Sequence, residues 1–228
     1  MATQPPAADV VASRVRNLRR LIADLRGDDH AVRIVAVTKT FDVSAWTTAR
    51  DAGCDAVGEN YAQEVLDKVR RAGGPGPLPV HFIGHLQSNK VKALAPHVGL
   101  WHTVDRTSIV SALGKEAERL GVAPHVLLQV NATAEEQKSG CAPGEVGQLL
   151  AAAEGVGLVV DGLMAMGPSD ADPTVTRAAF RLTARIAADH GVRELSMGMT
   201  HDVRIAIEEG STIVRVGTGL FGERPRSD

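Results

Sequence analysis

R-I-V-A-V-T-K at 33–39 is a short apolar run that ends in a lysine, just where a strand would give way to a loop. It is the first of eight such runs rich in Val, Ile and Leu. The others lie near 56–60, 80–85, 99–104, 125–131, 157–166, 194–199 and 211–217. Helical patterns alternate with them. One is opened by Asp42 and Ser44 and ended by Gly53, and another covers 62–71. A third, at 89–95, is stopped by Pro96, and a fourth, at 108–120, by Gly121. Further ones follow at 145–154, 174–190 and 202–209. Eight strands alternating with helices predict an α/β fold, a single (β/α)8 TIM-type barrel. A Rossmann-type sheet would need a G-x-G-x-x-G turn after an early strand, and no early strand here is followed by one.

A further helix precedes the first strand. Val11, Val15, Leu18, Ile22 and Leu25 recur at helical spacing, while Arg14, Arg16, Arg19 and Arg20 lie mainly off that stripe and read as a solvated outer face. Little chain follows the eighth strand, so this helix is expected to fill the place of a missing final one. The expected organisation is one domain over 1–228, with the helix in 1–30 and the barrel in 31–224. The loop-like G-G-P-G-P-L-P at 73–79 joins a helix to a strand, which puts it on the barrel face away from chemistry.

A length of 228 residues can bury a substantial core. A net charge of −2 gives no footprint for nucleic acid or a membrane surface. Cys54 and Cys141 have no metal-type spacing and suit free thiols in a reducing compartment. The start M-A-T-Q-P-P-A-A-D-V is unlike a signal peptide, and the longest apolar stretch, at 157–167, is too short to span a bilayer and carries Asp161. These features predict a soluble cytoplasmic protein.

Barrel chemistry sits at the C-terminal ends of strands. Lys39 stands at such an end; once desolvated it can lose its proton and attack a carbonyl to form a Schiff base, or it can simply snorkel there. Alternation along S-T-I-V-R-V-G-T-G-L-F-G at 211–222 puts Val214 and Val216 on one face and Arg215 and Gly217 on the other. If the valines meet helices, Arg215 points into the barrel, where it needs an acceptor. That acceptor is either a carboxylate, such as Asp161 or Glu59, or a ligand's ring nitrogen or acid group. Gly217 and Thr218 follow as an anion-sized turn, and Thr200 in S-M-G-M-T-H-D is placed to cap the helix beginning near His201. A lysine facing an anion nest fits a phosphorylated aldehyde held covalently.

The motifs V-T-K at 37–39, G-E-N-Y at 58–61, H-F-I-G-H-L-Q-S-N-K at 81–90, K-S-G at 138–140, G-L-M-A-M at 162–166, S-M-G-M at 196–199 and R-V-G-T-G-L-F-G at 215–222 occur in one order. Together they resemble the pyridoxal-phosphate homeostasis proteins, from about residue 33 to 224. The resemblance implies a barrel like the N-terminal domain of alanine racemase, binding pyridoxal 5′-phosphate. By motif position Lys39 would form the internal aldimine, with Asn60 beside the cofactor. Thr200, Gly217 and Thr218 would hold the phosphate and Arg215 would meet the pyridine nitrogen. Two positions depart from the pattern. The family commonly has M-S-x-D where this chain has Met199, Thr200, His201 and Asp202, and His85 stands where a proline is frequent.

Racemases of related fold add a second domain that supplies a tyrosine acid/base; this chain has no length for one, and Tyr61 is its single tyrosine. The implied role is intracellular cofactor homeostasis, as carrier or buffer, without evident turnover. Pyridoxal phosphate and the apo-enzymes that use it are the implied partners, and the chain is expected to be a monomer. The competing readings are a racemase or lyase using the same lysine, and an aldolase-type barrel without the cofactor. No metal is expected: His81 and His85 lie in a strand-like run, where four residues span about 13 Å. Asp51, Asp55 and Glu59 read as a helix end, a turn and a strand-end polar group. Met164, Met166, Met197 and Met199 are expected in the barrel core.

Overall fold

The computed structural model describes residues 3–223, and the barrel boundary expected at 224 lies outside them. Its strands are β1 (Arg33–Val37), β2 (Ala56–Glu59), β3 (Val80–Phe82), β4 (Leu100–Val104), β5 (His125–Gln129), β6 (Val159–Met164), β7 (Glu194–Ser196) and β8 (Ile213–Val216). All pair in parallel with their sequence neighbours. β8 returns to β1 in the register Val35 to Arg215 and closes the barrel. The helices are α1 (Ala8–Arg26), α2 (Ser44–Asp51), α3 (Ala62–Ala72), α4 (Ser88–Leu94), α5 (Thr107–Leu120), α6 (Val146–Glu154), α7 (Pro173–Asp189), α8 (Val203–Glu208) and α9 (Thr218–Phe221).

Each boundary has a local cause. Ser44 N–H donates to the Asp42 carboxylate at 2.8 Å, so Asp42 turns the chain into α2. α4 ends before Pro96, whose ring cannot continue it. α5 ends at Gly121, which takes the left-handed conformation at φ 67°. Strand alternation then sorts the apolar side chains into two sets. Val35, Ala56, Leu100, Leu127, Met164 and Ile213 fill the barrel. Ile34, Ala36, Val57, Phe82, Trp101, Leu128, Leu163 and Val214 belong to the larger layer between barrel and helices.

The leading helix fills the gap left after β8. α9 has only four residues, and α1 lies against α8, α9 and α2, completing the outer ring. Val11, Val15, Leu18 and Ile22 are buried as expected. The basic face is less solvated than its pattern predicts. Arg14 donates to Leu220 O at 2.7 Å, and Arg19 is only 8% exposed. Arg19 reaches the carbonyls of Asp29, Val32 and Gly53 and pairs with the Asp55 carboxylate at 2.7 Å. Asp55 also accepts from Ile34 N–H at 2.6 Å, so one carboxylate ties α1 to the start of β1. Arg16 and Arg20 do face solvent. The 73–79 segment joins α3 to β3 at the end of the barrel opposite Lys39, as expected.

Arg19→Ala should cost about 3 kcal/mol in urea unfolding, because it strips three carbonyls and a half-buried carboxylate of their donor. A loss under about 0.5 kcal/mol, the range of an ordinary surface change, would mean that α1 is not anchored through this residue.

Candidate functional site

Lys39 lies two residues past β1 and is half-buried. It shares the strand parity of the interior residue Val35. Its neighbour Thr40 holds φ at 71°, a conformation costly for a β-branched residue. Three bonds hold it there. Thr40 N–H donates to Glu64 at 2.7 Å, Thr3 N–H donates to Thr40 O at 3.0 Å, and Asp42 N–H returns to Thr3 O at 2.9 Å. The loop carrying the lysine is therefore fixed from both sides.

Asn60 follows β2 directly. Its Oδ1 is buried and has no partner, as are Thr40 Oγ1 and Glu59 Oε2. Gly84, in the loop after β3, lies so close that a Cβ there would sit 1.9 Å from Asn60 O, which accounts for a glycine in the motif at 81–90. Behind this pair, between the barrel and the helices, Glu59 is fully buried. Its Oε1 accepts from Thr38 Oγ1 at 2.6 Å, Trp46 Nε1 at 2.9 Å and Lys68 Nζ at 2.6 Å. Lys68 Nζ also donates to Thr38 O at 2.7 Å. A buried ion pair thus joins the residues adjoining Lys39 and Asn60. Thr38, Trp46 and Lys68 were not singled out in the sequence, because their link to Glu59 is long-range.

Arg215 points inward, but neither Asp161 nor Glu59 is its partner. Asp161 pairs with His125 at 2.9 Å, and Glu59 is taken up by Lys68. Arg215 instead donates to Ser196 O at 2.7 Å, Ser196 Oγ at 2.5 Å and Ala165 O at 3.1 Å. Burial pulls its pKa down to about 10, with nearby Asp202 acting the other way, so it remains a cation at neutral pH.

Thr200 does not cap the helix after β7. Asp202 turns that loop by accepting from Met199 N–H at 2.5 Å. Thr200 Oγ1 instead lies 3.0 Å from Thr218 Oγ1 and accepts from Gly219 N–H at 3.0 Å. This crosslinks the loops after β7 and β8. Gly217 is packed beside Val37, at the end of β1. The fold thus brings Lys39, Asn60, Thr200, Arg215, Gly217 and Thr218 to the C-terminal half of the barrel, with the two hydroxyls and Gly217 on the β7–β8–β1 side. His201 is exposed, and His85 sits 3.4 Å from Ser139 Oγ. Met164 and Met197 are buried and Met166 packs on the interior set. Met199 departs from expectation: it lies beyond β7 and is 42% exposed.

The alanine racemase N-terminal domain family matches residues 11–225. A protein of Pseudomonas aeruginosa named pyridoxal phosphate homeostasis protein is 41% identical over 219 residues, covering 94% of this chain and 93% of its own. The chain belongs to the pyridoxal phosphate homeostasis protein family. PipY of Synechococcus elongatus, solved with PLP bound, superposes with a TM-score of 0.79 at 31% identity, over 93% of this chain and 100% of PipY. Alanine racemase of Clostridium difficile shares the fold, with a TM-score of 0.73 at 14% identity. The match covers 95% of this chain and 58% of the racemase.

In this family member the K-S-G motif joins two mouth loops. Lys138 Nζ donates to Gly167 O and Glu135 Oε1, both at 2.5 Å, and Glu135 accepts from Ser169 Oγ at 2.6 Å. The Lys138 bond, helped by Ser169, holds the Glu135 carboxyl down at about 2. Ser196 and His102, which no motif marks as a site, share the barrel interior with Arg215. His81 bonds His102, not His85, at 3.0 Å. Strand parity was the signal available, since each stands at an inward position.

Lys68→Met should destabilise the chain by about 3–5 kcal/mol in urea unfolding, because it leaves Glu59 charged and buried. Double replacement with Glu59→Leu should recover most of that loss. A single variant as stable as the wild type would show that the pair does not hold the ends of β1 and β2.

Proposed function

We propose that this chain binds pyridoxal 5′-phosphate covalently through Lys39 and keeps or hands on the cofactor rather than turning over a substrate. The observation that carries this reading is the cation Arg215. It is buried in the barrel, held by Ser196 and the Ala165 carbonyl, and has no carboxylate partner among the described residues. Those bonds occupy three of its five N–H groups, so donors remain for a ligand above it. The buried, unpartnered Asn60 Oδ1 fits a polar ligand at the same mouth.

Lys39 Nζ would add to the aldehyde carbon, and the carbonyl oxygen would leave as water. Thr200 and Thr218 would offer hydroxyls to the phosphate, with Gly217 letting the backbone come close. Bound pyridoxal phosphate supplies an electron sink that is strongest when its ring nitrogen is protonated. Arg215 has no lone pair to receive a ring N–H, and its charge disfavours that proton. It would therefore hold the ring in a form poorly suited to stabilising a full carbanion. Tyr61, the chain's single tyrosine, is 53% exposed. The homeostasis name of relatives such as that of Pseudomonas aeruginosa and the PLP-bound PipY structure support the same reading. The chain would act as a single domain and a monomer in the cytoplasm, with apo-enzymes that need the cofactor as its recipients. No helix among the described residues is long and apolar enough to cross a membrane.

Purified chain mixed with pyridoxal phosphate should show a visible imine band that Lys39→Ala lacks. The loaded chain should reactivate an apo-enzyme while leaving the α-deuterium of amino acids in place. Deuterium loss dependent on Lys39 would favour the racemase or lyase reading. Absence of the band from wild type would reject the cofactor and favour an aldolase-type barrel.

A further inference from the structure

Below Arg215 the barrel interior carries a line of polar groups that the binding reading does not use. Arg215 Nη1 donates to Ser196 Oγ at 2.5 Å, Ser196 Oγ lies 2.9 Å from His102 Nδ1, and His102 Nε2 lies 3.0 Å from His81 Nδ1. Ser196 and His102 are fully buried and His81 is 5% exposed. They stand on β7, β4 and β3, so the line crosses the barrel from β8 to β3.

Chemistry gives this line one direction. A guanidinium can only donate, so Ser196 Oγ is an acceptor toward Arg215. Its own hydrogen is then available for His102 Nδ1, which must be bare to receive it. The His102 proton consequently sits on Nε2 and is given to His81 Nδ1. His81 in turn keeps its proton on Nε2. Both tautomers follow from a guanidinium that has no lone pair, together with a hydroxyl hydrogen whose one other contact among the described residues is His102 Nδ1. A reversed line would place a His102 N–H against a hydroxyl already receiving an Arg215 N–H, leaving the hydroxyl hydrogen to seek another acceptor.

The electrostatics agree with the geometry. Burial holds His102 well below the usual histidine value, and His81, Arg215 and Arg33 add to that. Burial likewise takes His81 down to about 3, with Arg33 adding. Arg33 is paired with Glu194 at 2.8 Å, and Asp202 is the carboxylate felt by Arg215. Arg215 thus remains a cation, and the groups beneath it remain neutral.

We propose that Ser196, His102 and His81 form a one-way hydrogen-bond relay that positions Arg215 for the ring of the bound cofactor. Ser196 and His102 are its positioning residues. The functional half of the proposal rests on the cofactor reading above; the relay itself does not. Without it, Arg215 keeps its two carbonyl acceptors but loses one of the two contacts that hold its Nη1 end.

The relay is tested first in the unloaded wild-type chain by nitrogen-edited imidazole NMR between about pH 5 and 8. Neutral rings with the proton on Nε2 are expected at both His102 and His81. A proton on His102 Nδ1, or a charged ring, would overturn the relay. The second test is pyridoxal phosphate affinity in a double-mutant cycle. Ser196→Ala should weaken binding about tenfold, the loss of one charge-assisted hydrogen bond. In an Arg215→Gln background it should have less than about twofold further effect. An equal loss in both backgrounds, or no loss in either, would overturn the positioning role. Failure of the wild type to bind would reject the cofactor reading and with it that role, while the tautomers would still decide the relay.

Discussion

A guanidinium inside a barrel cannot shed its charge, and the interior of this protein is arranged around that constraint. Arg215 stands on β8 among apolar side chains such as Val35, Leu127 and Met164, where an uncompensated cation would be costly. Its compensation comes from dipoles: two carbonyls and a hydroxyl, with neutral imidazoles beyond. A carboxylate partner would have neutralised it and closed the site. Dipoles solvate the charge without neutralising it, as the proposed ligand contact requires.

The opposite charge arrangement appears behind Lys39. There an ion pair between Glu59 and Lys68 is buried outside the barrel wall, gripping Thr38 through both its hydroxyl and its carbonyl. The pair lies outside the barrel interior, away from the proposed ligand, so its neutralisation costs that site nothing. It holds the ends of β1 and β2, and with them the residues that carry the proposed amine and amide. The strained Thr40 and its three bonds complete that anchorage.

The barrel was legible because its signals are local. Apolar runs, stop residues such as Pro96 and Gly121, and alternation at Val214 and Val216 each act within a few residues. The inward aim of Arg215 followed from the same alternation. Its partners did not, since Ser196 and Ala165 lie on other elements and a carbonyl leaves no trace in sequence. Thr200 shows the same limit: a threonine before a helix reads as its cap, but the Asp202 side chain turns that loop and frees the hydroxyl for Gly219. Arg19 reads as solvated from helical spacing alone, yet it meets the carbonyls of Asp29 and Val32 just past α1 and that of Gly53 beyond α2. What sequence reading missed was long-range hydrogen bonding, and the proposed cofactor chemistry depends on it.

The central claim is that Lys39 is the covalent anchor. Borohydride reduction of the loaded wild-type chain, followed by peptide mass mapping, tests it most directly. A pyridoxyl adduct is expected on the peptide carrying Lys39. An adduct on Lys138 or another lysine, with Lys39 unmodified, would contradict it.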